Sequence, residues 1–195
     1  MGKVVFEISM SLDGFIAGPK DDSNPDRELG GLDILHDWRF GAKSPTEAEA
    51  YEVEKFKRMG AGIVGHRMLD LGIGPWGENP TFHMPIFVLS HETREPITKQ
   101  GGTTYYFVTE GIESALKQAE EAARGKDIMV LGGAEVAQQY LKAELLDEIH
   151  IHLVPVLLGE GIRLFENIGT EQIRLEQMSV TEAPGVTHFR FCVVK

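Results

Sequence analysis

The order of apolar and polar positions divides this chain into short strands that alternate with helices. Residues 3–9, Lys-Val-Val-Phe-Glu-Ile-Ser, read as a strand. The loop from Ser11 to Pro19 carries two turn signals, Asp13-Gly14 and Gly18-Pro19. Residues 20–43 are polar and glycine-containing around an apolar island at 32–40, which predicts a long excursion holding one short helix. Excursions of that length inside a compact domain are usually functional or mobile. Ser44-Pro45-Thr46-Glu47 predicts a helix start, because Ser44 can cap, Pro45 suits the first helical position and Glu47 completes a capping box. That helix is expected to reach about Met59 and stop at Gly60.

Further along, residues 61–65 form a short strand, and His66 to Leu69 open a brief helix. Residues 85–90 form another buried strand, and 104–108 one rich in aromatic and branched residues. Thr109 is placed to cap a helix whose apolar stripe is Ile112, Leu116 and Ala119, with Ala115 and Ala122 beside it. Residues 128–131 are wholly apolar, end at Gly132-Gly133, and lead into a helical pattern with Val136, Tyr140 and Leu141 on one face. The last third changes character. Residues 147–154 alternate, with Ile149, Ile151 and Leu153 on one face, until Pro155 and Gly159-Glu160-Gly161 break the run. Residues 173–181 and 186–194 then read as an antiparallel pair joined through Ala183-Pro184-Gly185. The expectation is an α/β fold with a mixed sheet: parallel βα units first, antiparallel strands at the C-terminal edge, and one domain over residues 1–195.

Composition narrows the function classes. A hydrophobic fraction of 42% and a charged fraction of 25% are ordinary for a globular protein. The net charge of −11, without a basic run, argues against nucleic acid or an anionic membrane as partner. Cys192 is the single cysteine, so no internal disulfide forms and no paired-cysteine metal spacing exists. No apolar stretch approaches membrane-spanning length, and no charged start precedes a long apolar region, so a cytoplasmic location is expected.

Gly132-Gly133 is the most informative stretch. A strand that breaks at glycine and becomes a helix leaves backbone N–H groups at the helix N-terminus, which suit a phosphate. Taken alone, the pair fits an anion site and a bare strand–helix corner equally well. It does not stand alone. Gly65 followed by His66 and Arg67 is a second such junction, and a third strand ends at Leu89-Ser90. In open α/β sheets, ligands bind beyond the carboxyl ends of the strands. Gly132-Gly133 would then take a pyrophosphate, with Arg67 and Ser90 on a further phosphate monoester, which together describe NADP. Arg67 can equally be a solvated surface charge.

These pieces carry a resemblance. The loop Ser11-Leu12-Asp13-Gly14-Phe15-Ile16-Ala17, the turn Val64-Gly65-His66-Arg67, the strand end Phe87-Val88-Leu89-Ser90, the junction Val130-Leu131-Gly132-Gly133-Ala134, and the strand from Leu146 through Val154 to Gly159 follow one another in order over nearly the whole chain. The chain resembles the dihydrofolate reductase-like superfamily, most closely the C-terminal reductase domain of the bifunctional riboflavin-biosynthesis deaminase/reductase. No deaminase zinc motif is present. The resemblance implies a mixed, mainly parallel sheet flanked by helices that binds NADPH in an extended pose, and a homodimer. Carried over, Ser9, Ile16 and Ala17 would hold the nicotinamide. Gly65, His66, Arg67 and Met68 would meet phosphate and ribose. Leu89 and Ser90 would flank the adenosine end, and Gly132, Gly133, Ala134, Glu135 and Val136 would wrap the pyrophosphate. It also implies a cis peptide between the paired glycines.

The substrate half departs from that pattern. The riboflavin reductases carry an acid before the glycine turn, where this chain has Leu131, and residues 70–77 do not match their ribose-phosphate segment. Hydride transfer to a small heterocycle would need a proton, for which Asp13 and Asp37 are the side-chain candidates. Asp13 can instead be a turn former and Asp37 an exposed helix acid. Trp38 can stack on a heterocycle or fill core, and Glu160, with Arg163 near it, can reach the substrate mouth or remain solvated. His150 and His152 share a strand face but lack an evident third ligand, so half-exposed sheet histidines are expected and no metal. The rival readings are a pterin or other carbonyl or imine reductase, and a nucleotide-binding protein without turnover.

Overall fold

The computed structural model describes residues 2–19, 30–40 and 55–195. Its strands are β1 (Val4–Ser11), β2 (Phe15–Ala17), β3 (Met59–Gly65), β4 (Pro85–Leu89), β5 (Ile97–Thr98), β6 (Thr104–Val108), β7 (Asp127–Val130), β8 (Glu148–Val154), β9 (Ile162–Arg163), β10 (Arg174–Ala183) and β11 (Val186–Val194). Its helices are α1 (Leu32–Phe40), α2 (His66–Gly72), α3 (Ile112–Ala123) and α4 (Ala134–Lys142). Residues 55–58 end a further helix. The predicted start of that helix at Ser44 to Glu47 lies outside the described residues.

Nine strands make one sheet in the order β10-β11-β8-β1-β7-β3-β4-β6-β5, and β2 pairs with β9 separately. Strands β8, β1, β7, β3, β4 and β6 are mutually parallel, while β11 and β10 run antiparallel at one edge. The mixed sheet and its antiparallel C-terminal strands are those read from the pattern. The parallel set brings its carboxyl ends to a single rim, where Ser11, Val154, Val130, Gly65 and Leu89 finish.

Strands β7, β3 and β4 are largely apolar on both sides because helices cover both faces. On one face Phe6, Ile63 and Val130 pack under Ala115 and Ala119 of α3 and Ala137 and Tyr140 of α4. Full burial of Phe6 and Tyr140 contributes about 1.5–3 kcal/mol each, and the Tyr140 hydroxyl donates to the Ile112 carbonyl at 3.1 Å, tying α4 to α3. On the other face Val5, Met129, Val64, Ile86 and Val88 pack with Leu69 of α2.

Three local expectations need correction. The helix before β3 ends at residue 58, and Met59 already belongs to the strand, since it pairs with Asp127 of β7. Thr109 does not cap α3. The chain turns instead at Gly111, whose φ of 90° is open to glycine and which serves as the N-cap without a side-chain bond. The short strands β2, β5 and β9 were not anticipated, because two or three residues hold no measurable periodicity. Among the described residues no helix is long and apolar enough to cross a membrane.

Candidate active site

At the rim, the two glycine junctions meet. The Gly65 N–H donates to the Gly132 carbonyl at 3.0 Å, joining the end of β3 to the end of β7. The Gly132–Gly133 peptide is cis, as the resemblance implied. Gly133 is the N-cap of α4 and offers no side chain, so the first-turn N–H groups keep their donor capacity. Ala134 and Val136 are buried and Glu135 is exposed. A Cβ on Gly65 would lie 3.0 Å from Val136 Cγ2, so glycine is what lets β3 and α4 approach this closely.

Gly65 also caps α2, whose first residues are His66 and Arg67. Arg67 is exposed, Met68 is half-buried against the second core cluster, and His66 Nε2 lies 3.6 Å from Asp70. Leu89 is half-buried. Ser90 is committed locally: its hydroxyl donates to the Glu92 carbonyl at 2.9 Å and accepts the Glu92 N–H at 3.1 Å. Sequence reasoning passed over Arg94, whose guanidinium lies 5.8 Å from the Phe107 ring, against which His66 also packs edge-on at 6.1 Å. It adds a cation near the ends of β4 and β6, and no pattern in its neighbours signals it.

The loop after β1 is held by Asp13. Its carboxylate accepts the Ser11 hydroxyl at 2.6 Å and the N–H groups of Leu158 and Gly159 at 3.1 and 2.8 Å. Those bonds, that of Ser11 foremost, lower its pKa to about 2. An acid so firmly ionised is a poor proton donor at neutral pH, and the turn-forming reading describes what it does here. Arg163 donates to the Asp13 carbonyl at 3.2 Å and lies 4.3 Å over Phe15. Ile16 and Ala17 are buried in β2, and Glu160 is exposed. Asp37 is exposed on α1.

The largest surprise lies under α1. On the face where Val5 is apolar, β1 continues as Glu7 and Ser9, β8 as Glu148, His150 and His152, and β11 as His188 and Arg190. The register pairs Glu7 with His150 and Ser9 with His152, and then His150 with Arg190 and His152 with His188. The expectation of half-exposed histidines fails: His150 and His152 are 6% and 4% exposed. They are buried because β8 is interior and helices cover both faces. Glu7 Oε1 meets Lys55 Nζ at 2.8 Å and His152 Nε2 at 3.1 Å, with His150 Nδ1 3.7 Å from Oε2. Burial, the largest single influence on it, pushes the Glu7 carboxyl up, but the Lys55 ammonium and hydrogen bonds from His150 and His152 hold it well below its usual range. Glu7 Oε2 is buried without a hydrogen-bond partner among the described residues, which ordinarily costs about 1–3 kcal/mol.

Trp38 closes this row from above. Its indole N–H donates to Ser9 Oγ at 3.2 Å, and its rings lie 4.9 and 5.0 Å from those of His152 and His188. Leu131 is half-buried against the second core cluster, and its N–H donates to the Ile63 carbonyl at 2.8 Å. The glutamate inside Val-Val-Phe-Glu-Ile-Ser was the legible signal for the row, since a charge in a wholly buried strand requires partners.

The RibD C-terminal domain family matches residues 2–189. The chain belongs to that family. Within reach of this RibD C-terminal chain is the uncharacterised Bacillus subtilis (strain 168) protein YwjB, 26% identical over 177 residues, which are 89% of each chain. A candidate riboflavin biosynthesis protein from Shewanella sp. PV-4 shares the fold with a TM-score of 0.77 at 23% identity, over 99% of both chains. Dihydrofolate reductase from Enterococcus faecalis, solved with NADP(H), superposes at a TM-score of 0.59 and 12% identity, over 100% of this chain and 98% of its own. The fold is therefore dihydrofolate reductase-like.

Proposed function

We propose that this RibD C-terminal domain protein is an NADPH-dependent reductase acting on a small heterocycle. One observation carries the reading: the N-termini of α2 and α4, both capped by glycine, meet at the carboxyl rim of the sheet through the Gly65–Gly132 bond. That cradle of side-chain-free donors fits a pyrophosphate, and Arg67 beside it fits a phosphate monoester. Main chain at Ser9, with Ile16 and Ala17, would position the nicotinamide, whose chemistry is hydride donation. Trp38 would offer its ring to the substrate. The aminopyrimidine ribose-phosphate of riboflavin synthesis is the nameable substrate; Leu131, which presents no carboxylate, counts against it, and a pterin, carbonyl or imine compound is the rival. A cytoplasmic homodimer is the working form this reading expects.

Titrating the protein into NADPH and following nicotinamide fluorescence tests the reading, and an unchanged spectrum sinks it. Arg67→Ala should weaken NADPH by about 10–100-fold, from the loss of one or two charge-assisted bonds, and leave NADH nearly unaffected. Equal losses would refute the phosphate role. Oxidation of bound NADPH by 5-amino-6-(5-phosphoribosylamino)uracil or by dihydrofolate then separates the substrates, and binding without turnover of either favours a nucleotide sensor.

A further inference from the structure

We propose that the row of buried Glu148, His150, Glu7 and His152 with partly buried His188 is a proton path. It leads from solvent at Lys3 to the His152–His188 pair beneath Trp38 and beside Ser9, and it supplies the proton that accompanies reduction. The proposal rests on the reductase reading and adds to it a proton source apart from Asp13, which is firmly ionised, and Asp37, which is exposed.

The geometry is continuous along the strands. Lys3 is bonded to Glu148, and its own side chain is 52% exposed. Glu148 Oε2 lies 2.9 Å from His150 Nε2. His150 Nδ1 faces Glu7 Oε2 at 3.7 Å, Glu7 Oε1 faces His152 Nε2 at 3.1 Å, and His152 Nδ1 lies 2.7 Å from His188 Nδ1. Because β1 and β8 are parallel, the row climbs from the amino edge of the sheet toward its carboxyl rim. The rise from residue 148 to 152 is roughly 13 Å at strand spacing.

Each link has the chemistry a relay needs. A buried imidazole receives a proton at one nitrogen and releases one at the other, so no histidine of the row must hold a lasting charge. At 2.7 Å the two Nδ1 atoms of His152 and His188 share one proton, since two protons would collide and none would leave two lone pairs opposed. Burial, with the neighbouring His152 second, lowers the pKa of His188 to about 4, which agrees with a single shared proton. The widest gap of the row falls at Glu7 Oε2, a buried atom that lacks a hydrogen bond. In a static core that oxygen is a defect. In a relay it is the acceptor that His150 reaches by a small rotation.

Other charged and titratable groups surround the row. Lys55 faces Glu7 from the helix ending at residue 58. Arg190 of β11 flanks His150, and Arg39 and His36 of α1 face the upper end, with His36 Nδ1 bonded to the Leu32 carbonyl. In the reduction the substrate carbon accepts the hydride of a dihydronicotinamide. The electron pair of its C=O or C=N bond moves to the heteroatom, and the heteroatom takes a proton from the His152–His188 pair. Glu7 and His150 refill that pair from solvent.

Two measurements on the full chain decide the matter. Imidazole nitrogen NMR without cofactor should show His150, His152 and His188 titrating as a coupled set. Glu148→Gln, at the far end of the row, should shift the His188 midpoint by at least about half a pH unit. Glu7→Gln should uncouple the two halves, and if that variant does not fold, Glu148→Gln carries the test. A His188 curve indifferent to Glu148→Gln overturns the path. Calorimetry in buffers of different ionisation enthalpy adds a second readout. NADP+, which brings a positive ring to Ser9, should expel about half a proton or more on binding, and NADPH close to none. Equal proton exchange for both cofactors also overturns the path. If neither cofactor binds, the reductase reading falls and the imidazole titration judges the row by itself.

Discussion

Replacing Lys55 with Met removes the ammonium that sits 2.8 Å from Glu7 Oε1, where the two side chains are 7% and 6% exposed. A solvated pair of this kind would contribute about 0–1 kcal/mol. Here the remaining carboxylate stays buried, and breaking one side of a buried pair costs about 3–5 kcal/mol. For a chain of this size that is a fall in melting temperature of about 6–20 °C. The neighbourhood makes the cost depend on pH. His152 Nε2 at 3.1 Å and His150 Nδ1 at 3.7 Å can each bring a replacement charge once protonated, which lower pH favours. The destabilisation should therefore be larger at pH 8 than near pH 6. Urea unfolding of parent and variant at both pH values measures it, read as midpoint shifts at constant slope. The double variant Glu7→Gln, Lys55→Met should recover about half of the loss at pH 8, because the uncompensated charge is gone. A loss below about 1 kcal/mol at pH 8, or one that is the same at both pH values, would refute a buried and proton-coupled role for this pair.

Two further outcomes are expected. Gly161→Ala would place a Cβ 2.0 Å from the Ala17 carbonyl oxygen at a φ of +136°. It should cost more than about 2 kcal/mol by separating β9 from β2, and a melting temperature within a degree of the parent would show that the pairing adapts. Acid should destabilise the fold in two stages. His188 has a folded pKa lowered to about 4, so the unfolded chain binds the extra proton and stability falls as the pH drops from about 6.5 toward 4. Screening of its half-exposed ring limits this to about 1–2 kcal/mol. Glu7, also lowered, adds stability that is present above about 4.5 and lost below it. His188→Asn should flatten the first stage only, as read by urea midpoints, and an unaltered profile would discount that histidine.

Most elements were legible because local periodicity records burial. Runs such as 61–65 and 128–131 are short and apolar because both faces of the sheet are covered, and the glycines that end them mark where a side chain would obstruct a helix start. Asp13 was legible as a pair of alternatives, and the tertiary bonds from Leu158 and Gly159 chose between them. The sequence could not assign Ser90, whose hydroxyl is equally able to bind phosphate or to close a turn on Glu92. Nor could it place residues 150 and 152 inside the protein, because alternation alone does not say whether the second face meets water or a helix.

By itself, then, the sequence determined the longer strands and the helices, the glycine junctions and the family. Those depend on interactions within a few residues and on a motif order that any member carries. Only the tertiary structure decided that Glu7, His150, His152 and His188 form one row beneath Trp38. Their positions along the chain are up to 181 apart between Glu7 and His188, and nothing local relates them. Strand register relates them, by setting β1 against β8 and β8 against β11, and the low-dielectric interior makes each of those charges depend on its neighbours.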